Sequence, residues 1–210
     1  MIKIIILLLI AYLLGSIPSG VWIGKTFFSI DIRRHGSKNI GTTNTYRVLG
    51  PVAGTIVLFM DIGKGFIATW LPMYYGISSW YPLVFGVVAV IGHTFSIFDH
   101  FKGGKAVATS AGMLLAYNPR FFLIAAIVLA SCILITSMVS LGSIISFIMI
   151  IFVSFCTHDK ALTLIAFCLT CFVIYRHRKN IIKIIHGNEN LVPFGFYYWY
   201  LKYMKKSIKE

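Results

Sequence analysis

Polar positions in this chain are confined to short stretches that separate long apolar runs. A helix crosses the roughly 30 Å core of a bilayer with about 20 apolar residues, and several runs meet or approach that length. The runs are Ile2–Gly24, Pro51–Leu71, Tyr81–Phe98, Val107–Tyr117, Phe121–Thr136, Ile144–Cys156 and Ala161–Tyr175. This pattern predicts an all-α integral membrane protein, organised as a single polytopic domain over residues 1–210, with about seven transmembrane helices.

The few charged residues are strongly unbalanced, with 19 Lys and Arg against 6 Asp and Glu in a chain that is only 12% charged. A soluble domain carries about 25% charged residues, so the composition excludes a soluble enzyme. The basic residues collect in the loops after the first and third runs and in the tail, and such loops remain in the cytoplasm. Membrane topology therefore explains the charge, and we expect no nucleic-acid partner.

The number of crossings decides the orientation of the two termini. If the Lys102–Lys105 loop and the basic tail are both cytoplasmic, an even number of crossings must separate them. One helix over Phe121–Cys156 would give three crossings, whereas a turn within Ser137–Ser143 gives four. We therefore predict such a turn, an N-terminus outside the cell and a C-terminus in the cytoplasm.

Residues able to bind anions gather in the loops that the charge pattern assigns to the cytoplasm. The first loop mixes Ser, Asn, Thr and Gly with Arg47, and Lys102–Lys105 reads KGGK directly before a predicted helix. Small residues let backbone N–H groups approach an oxyanion, Arg and Lys supply countercharge, and helix N-termini favour anions. The loops indicate a phosphate site, although topology also requires basic loops and Gly, Ser and Asn are common in turns.

Residue spacing bears on three further features. A P-loop is excluded because position 106 is alanine where GxxxxGK[ST] needs Ser or Thr. A general-base pair of His93 and Asp99 is not supported, since their six-residue offset turns them to different helix faces. Asp61 and Lys64 lie inside an apolar run with the spacing of a helical ion pair, and both a structural pair and a substrate contact remain open.

Several stretches resemble the PlsY family of bacterial acyl-phosphate:glycerol-3-phosphate acyltransferases, in the family's order. They are Gly15–Gly20 (GSIPSG), Ser37–Asn44 (SKNIGTTN) with Arg47, Asp61–Gly65 (DIGKG), Gly92–Thr109, and His177–Asn180 with Gly187 and Glu189. The pattern SxNxGxTNxxR and the KGGK loop are the most specific of these. The chain departs from the family pattern at Ala106, where many members have glycine, and this position carries no presumed catalytic side chain.

The resemblance implies seven helices with the active site at the cytoplasmic face of the bacterial membrane. It implies transfer of a fatty acyl group from acyl phosphate to the 1-hydroxyl of glycerol 3-phosphate, giving lysophosphatidate and phosphate. The implied catalytic residues are Ser37, Lys105, His177 and Asn180. The implied substrate-binding residues are Arg47, Asn39, Gly41, Thr43, Asn44, Lys102, Gly103 and Gly104, with Asp61, Lys64 and His93 as further candidates. No cluster of metal ligands appears in the sequence, and we expect no metal and no cofactor.

Acyl phosphate is a mixed anhydride with a good leaving group, so the site must mainly hold two anions together and stabilise developing charge. Arg47 suits bidentate phosphate binding, whereas Lys105 suits a point charge at the leaving phosphate. The proton of the acceptor hydroxyl has two possible acceptors, His177 and the donor's own phosphate, and the sequence leaves both open. A transporter or channel for a phosphorylated anion is the competing class, since it also needs a basic site and intramembrane charges.

Overall fold

The computed structural model describes residues 2–77 and 81–207, with side chains described as far as Met204. Every regular element in that part of the chain is helical. The helices are α1 (Ile2–Ser16), α2 (Ser19–Phe28), α3 (Thr42–Leu49), α4 (Pro51–Tyr74), α5 (Tyr81–Thr94), α6 (Val107–Tyr117), α7 (Pro119–Thr136), α8 (Val139–Cys156), α9 (Lys160–Arg176), α10 (Arg178–Ile185) and α11 (Phe196–Ser207), with 3₁₀ turns at Ile32–Arg34 and Ile97–Asp99. The predicted all-α class is confirmed for the described residues.

Among the described residues, four segments are long and apolar enough to cross a membrane. They are Pro51–Tyr74, Tyr81–Asp99, Pro119–Thr136 and Val139–Cys156. Two bent pairs, α1 with α2 and α9 with α10, bring the number to as many as six if each pair is one span. Helix α6 has only 11 residues and rises about 16 Å. The seventh crossing and the orientation of the termini therefore stay predictions.

The prediction of one uninterrupted helix over Ile2–Gly24 is wrong. Helix α1 ends at Ser16, and α2 begins at Ser19 with its axis turned by 48°. Pro18 accounts for the break, because proline has no N–H to donate and disfavours helical backbone at the residue before it.

The predicted turn between α7 and α8 is confirmed, but it is shorter than Ser137–Ser143. Only Ser137 and Met138 lie outside the two helices, and Ser137 has a left-handed φ of 60°. The serines that follow lie within α8, where their hydroxyls find acceptors: Ser143 donates to the Val139 carbonyl at 2.8 Å and Ser140 to the Glu189 Oε1 at 2.9 Å.

The chain forms two compact units, Met1–Phe122 and Leu123–Glu210. In the first unit, α4 packs against α6 at very short range, since a Cβ atom at Gly65 would collide with the Thr109 carbonyl and one at Gly112 with the Ile62 carbonyl. Such small-residue contacts are typical of helices that pack inside membranes. In the second unit, α8 packs against α9, and α10 contacts both of them.

Candidate active site

Asn44 gives the first loop of the first unit its shape. Its side chain is buried, and its amide lies within donating distance of the carbonyls of Ile32 (3.0 Å), His35 (3.2 Å) and Asn39 (2.8 Å). Its Oδ1 accepts the Ser37 backbone N–H at 2.8 Å. These bonds fasten the loop to the start of α3. Asn44 was predicted to contact substrate; in the structure its amide is engaged with the backbone, and it positions the exposed Ser37.

The other predicted residues of this loop follow Asn39 into α3. The Asn39 Oδ1 accepts the Gly41 N–H at 2.9 Å and so forms the turn before the helix. Thr43 is half-buried and Arg47 is exposed. Arg47 has no carboxylate within ion-pair distance in the part of the chain that the structure describes.

A charged cluster braces the segment before this loop. Arg33 forms an ion pair with Asp31, in which Nε donates to Oδ1 at 2.8 Å, and a second with Asp99. The hydrogen bond from Arg33 holds the pKa of the Asp31 carboxyl well below its usual range, and the same bond raises the pKa of Arg33. Asp99 thus pairs with Arg33, in agreement with the prediction that it forms no general-base pair with His93.

Asp61 connects four helices inside the first unit. It is 2% exposed and lies 2.8 Å from the Lys64 Nζ. The Ser19 hydroxyl donates to it at 2.9 Å and the Thr42 hydroxyl at 3.4 Å, and the His93 Nδ1 lies 3.9 Å away. The ion pair that the sequence spacing allows is present. Direct substrate contact by Asp61, Lys64 or His93 stays a prediction.

The KGGK loop packs against the end of α5. The Gly104 N–H donates to the His93 carbonyl at 3.1 Å, and a Cβ atom at either Gly103 or Gly104 would collide with His93. The Gly104 N–H is therefore engaged within the protein, and substrate binding by Gly103 and Gly104 stays a prediction. The glycines allow close packing, and they leave Lys102 exposed and Lys105 half-buried just before α6.

The second unit holds the other predicted catalytic residues. His177 is 2% exposed at the junction of α9 and α10, and its Nδ1 lies 2.9 Å from the Val173 carbonyl. Because a carbonyl only accepts, Nδ1 carries the proton, and Nε2 is the basic atom of the neutral ring. Asn180 donates from Nδ2 to the Glu189 Oε1 at 2.6 Å, and the Ser140 hydroxyl donates to the same oxygen at 2.9 Å.

Sequence reasoning assigned no role to several residues that organise these regions. Glu189 was noted only as part of the family pattern, yet it accepts from both Asn180 and Ser140. Arg33 and Asp99 lie in different loops and form an ion pair that no sequence pattern indicates. The available signal was the scarcity of acids, because each carboxylate in so basic a chain is expected to have a specific partner.

Long apolar helices that contain a buried ion pair, together with exposed basic residues in the loops, are typical of a polytopic membrane protein. A family model described as glycerol-3-phosphate acyltransferase matches residues 5–187. Among curated proteins, the glycerol-3-phosphate acyltransferase of Levilactobacillus brevis is 61% identical over 92% of this chain and 95% of its own length. The glycerol-3-phosphate acyltransferase of Enterococcus faecalis is 58% identical over 92% of this chain and 94% of its own length.

Two crystal structures of PlsY (YgiH), an integral membrane glycerol 3-phosphate acyltransferase, are also similar. The glycerol 3-phosphate form superposes with a TM-score of 0.84 and 37% identity, covering 90% of this chain and 94% of that one. The lysophosphatidic acid form superposes with a TM-score of 0.81 and 36% identity, covering 89% of this chain and 94% of that one. This chain belongs to the glycerol-3-phosphate acyltransferase family, a family of integral membrane acyltransferases.

Proposed function

We propose that the protein transfers a fatty acyl group from acyl phosphate to the 1-hydroxyl of glycerol 3-phosphate. The hydroxyl oxygen attacks the acyl carbonyl, the bond between that carbon and the phosphate oxygen breaks, and lysophosphatidate and inorganic phosphate are released. The product enters phospholipid synthesis in the bacterial cytoplasmic membrane.

The observation that carries this proposal is the family match over residues 5–187, which contains every predicted site residue. The similar PlsY structures were determined in glycerol 3-phosphate and lysophosphatidic acid forms, the acceptor and the product of such a transfer. The local geometry supports it as well, because Asn44 holds the exposed Ser37 in place beside α3, which carries Arg47.

The choice of acyl phosphate rests on the size and charge of the loops. An acyl-CoA enzyme must accommodate a large nucleotide carrier, and the described polar segments are short, the longest running from Lys25 to Gly50. A departing phosphate needs only countercharge, which Lys102 and the half-buried Lys105 supply beside the start of α6. The donor is therefore the small anhydride.

Each side chain has a distinct role in the proposed reaction. Arg47, without a carboxylate partner among the described residues, binds a substrate phosphate through two N–H groups. Lys105 stabilises the leaving phosphate, and Ser37 and Asn180 orient oxygens. The proton of the attacking hydroxyl goes to the donor phosphate or to the His177 Nε2, and we favour the phosphate because its oxygen is part of the reacting group.

The site faces the cytoplasm in this proposal, with seven crossings and an external N-terminus. The support is the distribution of charge, because Lys25, Arg33, Arg34 and Lys38 crowd the first loop and Arg178, Lys179 and Lys183 follow α9. Between α8 and α9, by contrast, the loop and helix start carry Lys160 as their single Lys or Arg.

The test uses purified full-length protein in detergent, where no compartments exist and transport cannot be registered. The formation of lysophosphatidate is measured with glycerol 3-phosphate as the acceptor. The donor is acyl phosphate, acyl-CoA or acyl carrier protein in turn. We expect product from acyl phosphate alone, and a loss of at least about a hundredfold in Lys105→Ala, in keeping with removal of one charge-stabilising group.

The outcomes separate the alternatives. Comparable rates with acyl-CoA would refute the donor assignment while leaving acyl transfer intact. No product from any donor, with well-folded protein, would favour a transporter of a phosphorylated anion. Lys160→Ala is the matched control for removing one lysine, since Lys160 lies at the start of α9 outside the proposed site.

A further inference from the structure

The last described helix, α11, lies beyond the family match and combines an exposed aromatic side with neighbouring lysines. Aromatic residues recur at spacings i, i+3, i+4 and i+7, which place them on one side of a helix. They are all exposed: Phe196 (76%), Trp199 (55%), Tyr200 (59%) and Tyr203 (73%). Positions 202, 205 and 206 are all lysines and border this side of the helix, since 202 follows Trp199 by three residues and 206 follows Tyr203 by three. An aromatic face beside a basic face is typical of helices that lie in a membrane interface.

The segment leading into α11 is attached to the break between α7 and α8. The Val192 N–H donates to the Ser137 carbonyl at 2.9 Å, and the Tyr198 N–H donates to the Ser137 hydroxyl at 3.0 Å. Gly195 has φ +97°, and a Cβ atom there would lie 2.7 Å from the Ser137 Oγ. Both hydrogen bonds and the glycine fix the start of α11 at this one residue.

The position of Ser137 places α11 at a membrane surface. Helices α7 and α8 are both long and apolar enough to span a bilayer, and only Ser137 and Met138 separate them. A two-residue break between spans lies where the chain turns back at the surface. The Ser140 bond to Glu189, which also accepts from Asn180, shows that Asn180 lies at this same end of α8.

We propose that α11 lies in the headgroup layer on the side of the membrane where Ser137 lies and that it binds anionic phospholipid headgroups. Tyr and Trp partition into that layer because their rings are apolar and their edges polar. Lysines near the surface are attracted to anionic lipid, and the Lys202 Nζ already lies 4.8 Å from the Trp199 ring centroid. This anchor goes beyond acyl transfer and does not depend on it.

Charge favours lipid over a second copy of the chain as the occupant of this surface. The protein has a formal charge of +13, to which residues 202–210 contribute four lysines and one acid, Glu210. Two such basic tails repel each other, whereas anionic headgroups neutralise them.

The test places a polarity-sensitive fluorophore on Tyr203→Cys in full-length protein whose four native cysteines are replaced by serine. The protein is reconstituted in nanodiscs of phosphatidylcholine alone or mixed with phosphatidylglycerol, and iodide quenching reports how much of the label is shielded. We expect stronger shielding with phosphatidylglycerol, reversed by added salt. In the mixed discs, Lys202→Glu is expected to lower the ratio of iodide-shielded to iodide-exposed label at least about fivefold. The matched charge reversal Lys160→Glu leaves this ratio unchanged.

Other outcomes overturn the proposal. Equal shielding in both lipids, insensitive to salt and to Lys202→Glu, would show that the aromatic face alone contacts neutral lipid. Shielding that depends on the number of protein copies per disc, with disulfide-linked dimers through position 203, would show that a second copy covers the helix.

Discussion

Each unit contains a carboxylate at the centre of a polar cluster, but the two are compensated in different ways. In the first unit, Asp61 is buried and paired with the Lys64 ammonium at 2.8 Å. In the second unit, the half-buried Glu189 accepts from two neutral groups, the Asn180 amide at 2.6 Å and the Ser140 hydroxyl at 2.9 Å. No cation lies within ion-pair distance of Glu189 in the described part of the chain.

This difference implies that Asp61 is required for its charge, whereas Glu189 is required for its shape and its accepting oxygen. Removing one member of a buried ion pair leaves the other charge in a medium of low dielectric constant, which costs far more than a lost hydrogen bond. A carboxylate bound by neutral donors can be replaced by an amide that still offers an accepting oxygen. The same acid-to-amide change is therefore expected to cost far more stability at Asp61 than at Glu189.

The largest effect is expected for Asp61→Asn. The amide keeps the shape and can still accept from Ser19, but it leaves the buried Lys64 without a countercharge, at a cost of about 3–5 kcal/mol in the free energy of unfolding. Denaturant titration of the purified protein in detergent measures this loss. Lys64→Met in the Asp61→Asn background is expected to recover part of this loss. An unchanged stability in Asp61→Asn would show that the Asp61–Lys64 ion pair does not stabilise the protein.

Glu189 provides the matched comparison. Glu189→Ala leaves the Asn180 amide and the Ser140 hydroxyl without their acceptor and is expected to destabilise the protein by about 1–3 kcal/mol. Glu189→Gln retains an accepting oxygen, so its cost is expected to stay below about 1 kcal/mol. The same titration measures both, and equal losses in the two variants would mean that the charge of Glu189 matters for stability after all.

Arg47 extends the comparison to a cation without a carboxylate partner among the described residues. Arg47→Lys is expected to leave stability unchanged and to lower kcat/KM about tenfold, or 1.4 kcal/mol, because lysine cannot bind phosphate through two parallel N–H groups. Steady-state kinetics with acyl phosphate and glycerol 3-phosphate provide the measurement. Normal kinetics in a folded variant would place Arg47 outside the site.

The smallest effect concerns the Asp31–Arg33 pair outside the spans. Because the folded-state pKa of Asp31 is depressed, the pair stabilises the protein above the unfolded pKa of about 4, and this stabilisation is lost as the pH falls through the lower folded-state value. We expect about 1 kcal/mol near neutral pH. Melting temperatures of wild type and Asp31→Asn should converge as the pH is lowered, and a gap independent of pH would contradict this origin.

The sequence predicted those features that depend on neighbours along the chain. Apolar runs identified the long helices, and the i, i+3 spacing of Asp61 and Lys64 allowed the ion pair that the structure contains. Pro18 carried enough local information to predict the break between α1 and α2, although the run around it was interpreted as one helix. The turn before α8 was placed correctly, but its length was not, because Ser140 and Ser143 find acceptors for their hydroxyls while remaining in the helix.

Tertiary structure alone decided which distant groups meet. Arg33 and Asp99 are 66 positions apart, and Ser140 and Glu189 are 49 apart, so neither pair has a periodic signal in the sequence. Likewise, the pattern of small and polar residues marked Asn44 and Gly104 as anion binders, whereas packing commits the Asn44 amide and the Gly104 N–H to backbone carbonyls. Local periodicity determines which segments are helical and where charge collects. The partner of each buried polar group depends on how the helices pack, because most such groups are hydrogen-bonded and packing determines which groups lie beside them.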